Sequence, residues 1–408
     1  MAKIKPFRAL RPVSDKVKEV SCAPYDVPYD AEVRKTISEN PLSFLTVTRA
    51  EALFPKEAPP GTADVLEKSR ESLQRLIDEG VLMQEAEPSF YVYRLDADGH
   101  MQTGIIAGAS IAEYEAGLIK KHEKTRPDKV EDRTEHMLAL RAQTGLIFLA
   151  FRGTENIRRL IEEAVGGTPR YDFKCEGGIK HTVWRVEGTA EMAAAFAEVP
   201  ALYIADGHHR AESAALTRRR LTEAGEKVSG EEEFNYVMAG IFPAEDLKIM
   251  PYNRAVRDLN GLSEEDLFAG LRENFIVSET DLRQPAEHGD IAMYFGGKWY
   301  LLRFAVDFIQ APNPIEQLDV SILQRYVLDP LLGIDDPRTN ERITFVGGIR
   351  GVEELERLVD SGEAVVAFSM FPTTMDDLFM ISDAGEIMPP KSTWFEPKLK
   401  DGLVVHLF

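Results

Sequence analysis

Cysteine is scarce: Cys22 and Cys175 are the only two in 408 residues. Two thiols can neither frame a disulfide-stapled fold nor supply a four-ligand zinc site by themselves. Long apolar runs are also missing. The longest, such as Leu146–Phe151, fall far short of the ~20 residues that cross a bilayer. The opening MAKIKPFRAL has no apolar stretch behind its lysines, so a cytoplasmic, reducing location is expected. Positive charge is in deficit, since 48 Lys+Arg against 68 Asp+Glu leave a net charge of −20. A protein that binds duplex nucleic acid needs a cationic face to release counterions, and an anionic membrane surface makes the same demand. Neither is expected as a partner, whereas a small anionic ligand held in a pocket is compatible with this balance. There is no Walker A run, no GxGxxG after a strand, no HExxH and no GxSxG. Standard P-loop kinases and Rossmann dehydrogenases are thereby set aside.

What is present is enough chain for roughly two or three domains, with 44 % hydrophobic and 28 % charged residues, as in ordinary globular proteins. Leu66, Leu73, Leu76 and Ile77 fall at helical spacing between Thr62 and Gly80. Phe90–Leu95 and Thr103–Ile111 read as strands joined through Asp98-Gly99, a hairpin signal. Residues 40–51, NPLSFLTVTRAE, end in a strand-like run, and Lys120–Arg133 reads as a polar stretch before a helix from Glu135 to Thr144. Strands Leu146–Phe151, His181–Val186 and Ala201–Ala205 then alternate with helices Asn156–Ala164, Thr189–Ala197 and His208–Leu221. The second half continues with strands Phe234–Phe242, Ile291–Phe295 and Trp299–Phe304, a helix Ile315–Leu328, a helix Val352–Val359, a strand Ala364–Ser369 and a helix Thr374–Ser382. Alternation of this kind predicts a mixed α/β protein, divided into residues 1–257 and 258–408.

Four segments carry chemistry. In ALYIADGHHRAESAAL, residues 201–216, an apolar strand runs straight into Asp206-Gly207-His208-His209-Arg210, and a helix begins at once. Gly207 permits a sharp turn and close approach of the backbone to a ligand. The first N–H groups of the helix lack intrahelical partners and lie at its positive end, where two imidazoles and a guanidinium would complete a phosphate cradle. The plain alternative is a capped helix start with solvated basic residues. The stretch 118–136 gathers Lys121, His122, Glu123, Arg126, Asp128 and Arg133, a mixture suited to phosphoryl transfer or to a surface loop of salt bridges. In CAPYDVPYD, residues 22–30, Pro24 and Pro28 stiffen the chain around Asp26. In MPPKSTWFEPKL, residues 388–399, Pro389 and Pro390 precede Lys391-Ser392-Thr393, an anion loop or a rigid connection.

The Asp-Gly-His-His-Arg turn resembles the ligand-binding turn of the ParB/sulfiredoxin superfamily. Together with CAPYDV, NPLSFLTVTRAE, KKHEKTRPDKVEDR and PPKSTWFEPKL, it resembles an uncharacterised conserved prokaryotic family often labelled ParB-like. The resemblance implies a ParB/sulfiredoxin-like core with insertions, followed by a C-terminal α/β region. Sulfiredoxins place a catalytic cysteine where this chain has His208, and ParB proteins add a basic helix-turn-helix, for which the short cluster Arg218-Arg219-Arg220 is a poor substitute. Free-serine kinases, the third branch the resemblance offers, fit an acidic chain of this kind best. By that analogy Gly207, His208, His209 and Arg210 hold the phosphates of a nucleotide or pyrophosphate donor, and Lys121, His122 and Arg126 close over them. Asp26 is then the first choice of base, ahead of Glu123 and Asp206; Mg²⁺ is expected, held partly by Asp206; Arg49 binds the acceptor's carboxylate. A ParB-like nucleotide-binding or DNA-linked protein without catalysis, or a nucleotide hydrolase, is the alternative. Where a Pro-x-His-Arg strand is expected, this chain has Pro251-Tyr252-Asn253-Arg254, which leaves that histidine's role without a bearer.

Overall fold

The computed structural model describes residues 2–55, 58–175, 177–305 and 313–408. It is a mixed α/β protein of two compact units: Met1–Leu247 together with Pro397–Phe408, and Lys248–Glu396. The chain thus divides after Leu247 rather than after Arg257, and its C-terminal segment belongs to the first unit. That return was not expected. It rests on pairing that periodicity does not reveal, such as the antiparallel bridge between Cys22 and Asp401 and the strand pair of His406–Leu407 with Ala142–Gln143.

In the first unit, helices α1 (Asp30–Glu39), α2 (Leu45–Thr48) and α3 (Ala63–Asp78) precede the hairpin β1 (Tyr91–Ala97) and β2 (His100–Ser110). Asp98 and Gly99 both take positive φ in its turn, the conformation that a two-residue hairpin demands. There follow β3 (Ile119–Lys120), α4 (Pro127–Leu140), β4 (Ile147–Phe151), α5 (Glu155–Val165), β5 (Tyr171–Lys174) and β6 (Lys180–Arg185). Then come α6 (Thr189–Phe196), β7 (Leu202–Asp206), α7 (His208–Glu223) and β8 (Tyr236–Pro243). These strands lie in the order β3-β7-β4-β8-β2-β1-β6-β5, and Ile4–Lys5 pairs with β2 to make nine. One face of the sheet, with Ile105, Ile147, Leu149, Ile204 and Ile241, is closed by apolar residues of α5, α6 and α7, among them Leu160, Met192 and Ala214. Each large side chain so buried contributes about 1.5–3 kcal/mol. The C-terminal segment touches the other face: Gln102 Nε2 donates to Pro397 O at 3.1 Å, and a methyl on Gly240 would meet Leu399 at 2.8 Å.

Two expected elements change character. Residues 45–48 are helical, not extended; Leu45, Thr46, Val47 and Thr48 are all buried, so no alternation exists to support a strand. Thr46 and Thr48 turn their hydroxyls back onto the carbonyls of Ser43 and Phe44, an accommodation open to threonine in a helix. The helix expected from Glu135 begins at Pro127, which occupies the first turn, and ends at Arg141 in the left-handed region. Its buried side includes Arg133, Thr134 and His136, which blurs the apolar period. The strand β5 was not foreseen, and residues 56–57 of the Pro-rich loop before α3 lie outside the described residues.

The second unit is built on an antiparallel sheet of six strands. Its members are β9 (Tyr252–Val256), β10 (Phe275–Glu279), β11 (Asp290–Phe295), β12 (Lys298–Phe304), β13 (Ile343–Gly347) and β14 (Val366–Met370). The run expected as one helix over 315–328 is a 3₁₀ turn, an α-helical turn and a wider π turn in succession. Lys391 O accepts from Arg254 Nη2 at 3.0 Å, and Ser392 Oγ donates to Pro389 O at 2.7 Å. The Lys391–Thr393 loop is thus tied into this unit.

Candidate functional site

The site forms where β7 ends. Its pairing with β4 slips between Ile204 and Asp206, and such a bulge re-aims the next side chain. Gly207 follows at φ +91°, with Ile147 only 3.3 Å from where a Cβ would stand. A side chain there would meet both strain and a crowded neighbour. The sixteen-residue helix α7 starts on this glycine with no side-chain cap, so its first N–H groups face the turn at the positive end of the helix.

Arg210 lies one turn in, and its side chain is 7 % exposed. Nη1 donates to Leu146 O. Nη2 is buried and makes no hydrogen bond among the described residues; Asp26 Oδ2 stands 3.8 Å from it and Asp206 Oδ2 3.9 Å. Burial works against the charge, but Asp26, Asp206 and Asp401 outweigh it and hold Arg210 firmly cationic. Asp206 also meets Lys398 Nζ at 3.3 Å. Burial would raise its carboxyl, and Lys398 with Arg210 overcomes this to hold it well below the usual range.

Asp26 is presented by a clamp on its neighbour Tyr25. The Tyr25 N–H donates to Asp401 Oδ2 at 3.2 Å, and Tyr25 O accepts from Arg49 Nη1 at 2.8 Å. The ring lies under the Arg133 guanidinium at 4.5 Å. Asp26 itself keeps 46 % of its side chain exposed. Arg49 is not available as expected: its fork is taken by Glu51, by Asp30 and by the Tyr25 and Pro28 carbonyls, so it holds the loop.

The histidines depart from expectation too. His122 and His208 are buried, with rings edge-to-face at 4.5 Å, and His122 N donates to His208 Nε2 at 3.4 Å. Burial pulls His122 down to about 4, and burial followed by His122 pulls His208 well below its ordinary value. Both are neutral near pH 7, so His122, expected to close over the phosphates and neutralise charge, and His208 at the turn bring no positive charge to the site. His208 Nδ1 lies 3.6 Å from Glu123 Oε2, which keeps Glu123 at the rim. His209 Nε2 accepts from the Arg126 N–H at 3.0 Å, while the exposed Arg126 guanidinium pairs with Asp128. Lys121 turns outward along α7, 3.7 Å from Glu212 and 4.8 Å from the Tyr114 ring centre. Among the described residues, no three His, Cys, Asp or Glu side chains gather as a metal site, and Asp206, expected as a metal ligand, is bonded to a lysine.

Asp401, Lys398 and Tyr25 had no expected role in the site, and Arg133 entered only as one of the charges of 118–136. Lys398 lies in the segment 388–399, whose anion-loop reading rests on Lys391, Ser392 and Thr393; nothing local marks Asp401. Only 2 % of Asp401 is exposed, and burial raises its carboxyl to about 7, with Arg210 lowering it and Asp26 raising it further. An unfolded aspartate titrates near 4. Between these values the native state keeps a proton that the unfolded chain has lost, so stability falls as pH rises from about 4 to about 7. Asp401→Asn, which preserves the acceptor for Tyr25 N–H, is expected to flatten this slope and raise the melting temperature above pH ~7. Thermal melts across the window check it, and an unchanged slope would remove the assignment.

A family model described as "Protein of unknown function (DUF1015)" matches residues 4–321. No curated protein matches the chain. Among solved structures it is similar to a point mutant of a free serine kinase in complex with ADP, at 17 % identity and a TM-score of 0.33, over 68 % of this chain and 84 % of that one. It is similar also to a conserved hypothetical protein from Pyrococcus furiosus, at 18 % identity and a TM-score of 0.35, over 71 % and 92 %. A third is SbnI with a C-terminal truncation from Staphylococcus aureus, at 12 % and 0.38, over 73 % and 86 %. No helix among the described residues is long and apolar enough to cross a membrane.

Proposed function

The chain belongs to the DUF1015 family, and from the site it carries we propose that it is a small-molecule phosphotransferase, with free L-serine as the leading acceptor and a nucleotide or pyrophosphate as donor. The observation that supports this reading most is the buried Arg210 Nη2, without a hydrogen-bond partner among the described residues, beside the uncapped start of α7. A guanidinium and helix N–H groups together suit a phosphate. Arg210 would neutralise the charge that builds on the transferring group. Asp26 would accept the proton of the acceptor's hydroxyl, which is a weak nucleophile unaided; its half-exposed carboxylate can reach both solvent and Arg210.

Asp206 and Glu123 flank the same turn and are the alternative bases. Mg²⁺ would shield the donor phosphates, held in part by Asp206 beside Lys398 and for the rest by the phosphates themselves. With Arg49 occupied, the acceptor's carboxylate needs another cation. The first experiment incubates the purified protein with Mg²⁺ and L-serine and, in separate reactions, ATP, ADP or pyrophosphate, and reads phosphoserine by mass spectrometry. Phosphoserine from one donor identifies reaction, acceptor and donor together. Phosphate release that is indifferent to serine would instead favour a hydrolase, and no product from any donor sinks the kinase.

A further inference from the structure

We propose that Lys398, delivered by the C-terminal segment, is a second phosphate-binding cation of this site and contacts the donor's polyphosphate alongside Arg210. The inference rests on the reading above and adds a residue to it. Asp206 is the last residue of β7, directly before Gly207, so its carboxylate marks the space in front of α7. Lys398 Nζ and Arg210 Nη2 approach the same oxygen of that carboxylate, at 3.3 and 3.9 Å, from different parts of the chain. The second separation is longer than the ~2.7–2.9 Å of a tight charged hydrogen bond, so the guanidinium is flanked by this oxygen rather than bonded to it.

Both cations are largely dehydrated, with side chains 16 % and 7 % exposed, while Asp206 is 36 % exposed. An anion that takes the place of the Asp206 carboxylate meets two positive groups already largely stripped of water, which strengthens the attraction. Lysine carries its ammonium on a flexible stem, so it can turn from Asp206 to a phosphate oxygen. Its neighbours lie on the sheet: Pro397 O accepts from Gln102 Nε2, and the Leu399 side chain lies against Gly240. A lysine whose flanking residues are pinned to the sheet is aimed by the fold.

Calorimetric titration with pyrophosphate and with ADP, without serine, tests this independently of the acceptor. Lys398→Met is expected to weaken binding of both by tenfold or more, and Lys398→Arg to restore most of the loss. If Lys398 only neutralises Asp206, Lys398→Met will lower the melting temperature and leave both affinities unchanged, which overturns the proposal. Should the wild-type protein bind polyphosphate but never make phosphoserine, the kinase reading fails while the comparison of Lys398 variants still decides this one. A wild-type protein that binds neither probe overturns both.

Discussion

Arg210→Ala is expected to reduce turnover by about 10²–10³-fold, the usual effect of removing one preorganised donor from a transition-state site, with a higher donor KM. It is also expected to destabilise the protein by about 3–5 kcal/mol, because Asp26, Asp206 and Asp401 would lose the buried cation they share. Activity lost merely through unfolding is separated by Arg210→Lys. The ammonium preserves the charge among the carboxylates but not the planar fork. Its unfolding midpoint should lie near that of the wild type while its donor KM remains high. Steady-state kinetics together with denaturant unfolding of both variants makes the comparison. A fully active Arg210→Ala protein would remove the principal support for phosphate binding at this turn.

Asp26→Asn is the second large effect, a fall in kcat of about 10²–10⁴-fold at saturating substrates. The side chain is 46 % exposed, but Asp26 is the first of the carboxylates that hold the buried Arg210 cationic, so some loss of stability is expected with it. A kcat that collapses in a variant still folded and still able to bind the donor is what distinguishes a base from a strut. Glu123→Gln, at the rim beside neutral His208, is expected to cost far less. If instead Glu123→Gln abolishes turnover and Asp26→Asn does not, the base is Glu123 and the Tyr25 clamp serves another purpose.

The strand, turn and helix around Asp206 were legible in the sequence because every cue lies within a few residues: an apolar run, an Asp-Gly pair and small residues on one side of the next helix. The hairpin at Asp98-Gly99 was legible for the same reason. Helix α4 was cut short because a charged helix that buries Arg133 and His136 lacks a clean apolar stripe. The charge of His122 and His208 is not legible because it depends on burial, a property of the assembled fold: the two meet across 86 positions. The Arg49 fork is filled by Asp30 and Glu51, a pairing that residue order alone does not disclose. Lys398 and Asp206 are separated by 192 positions, and no local pattern announces such a meeting.

The departure of the chain from the first unit at Leu247 and its return at Pro397 has a consequence for biosynthesis. Asp26, Asp206 and Arg210 leave the ribosome early, but Lys398 and Asp401 follow only after the whole second unit has been made. At about 5–20 residues per second, roughly 150 intervening residues impose a wait of about 8–30 seconds. Through that interval the nascent protein has an exposed sheet face and an unfinished pocket. A chaperone that shields nascent chains would find its target there, and the turn would gain Lys398 and Asp401 only after the second unit has been made.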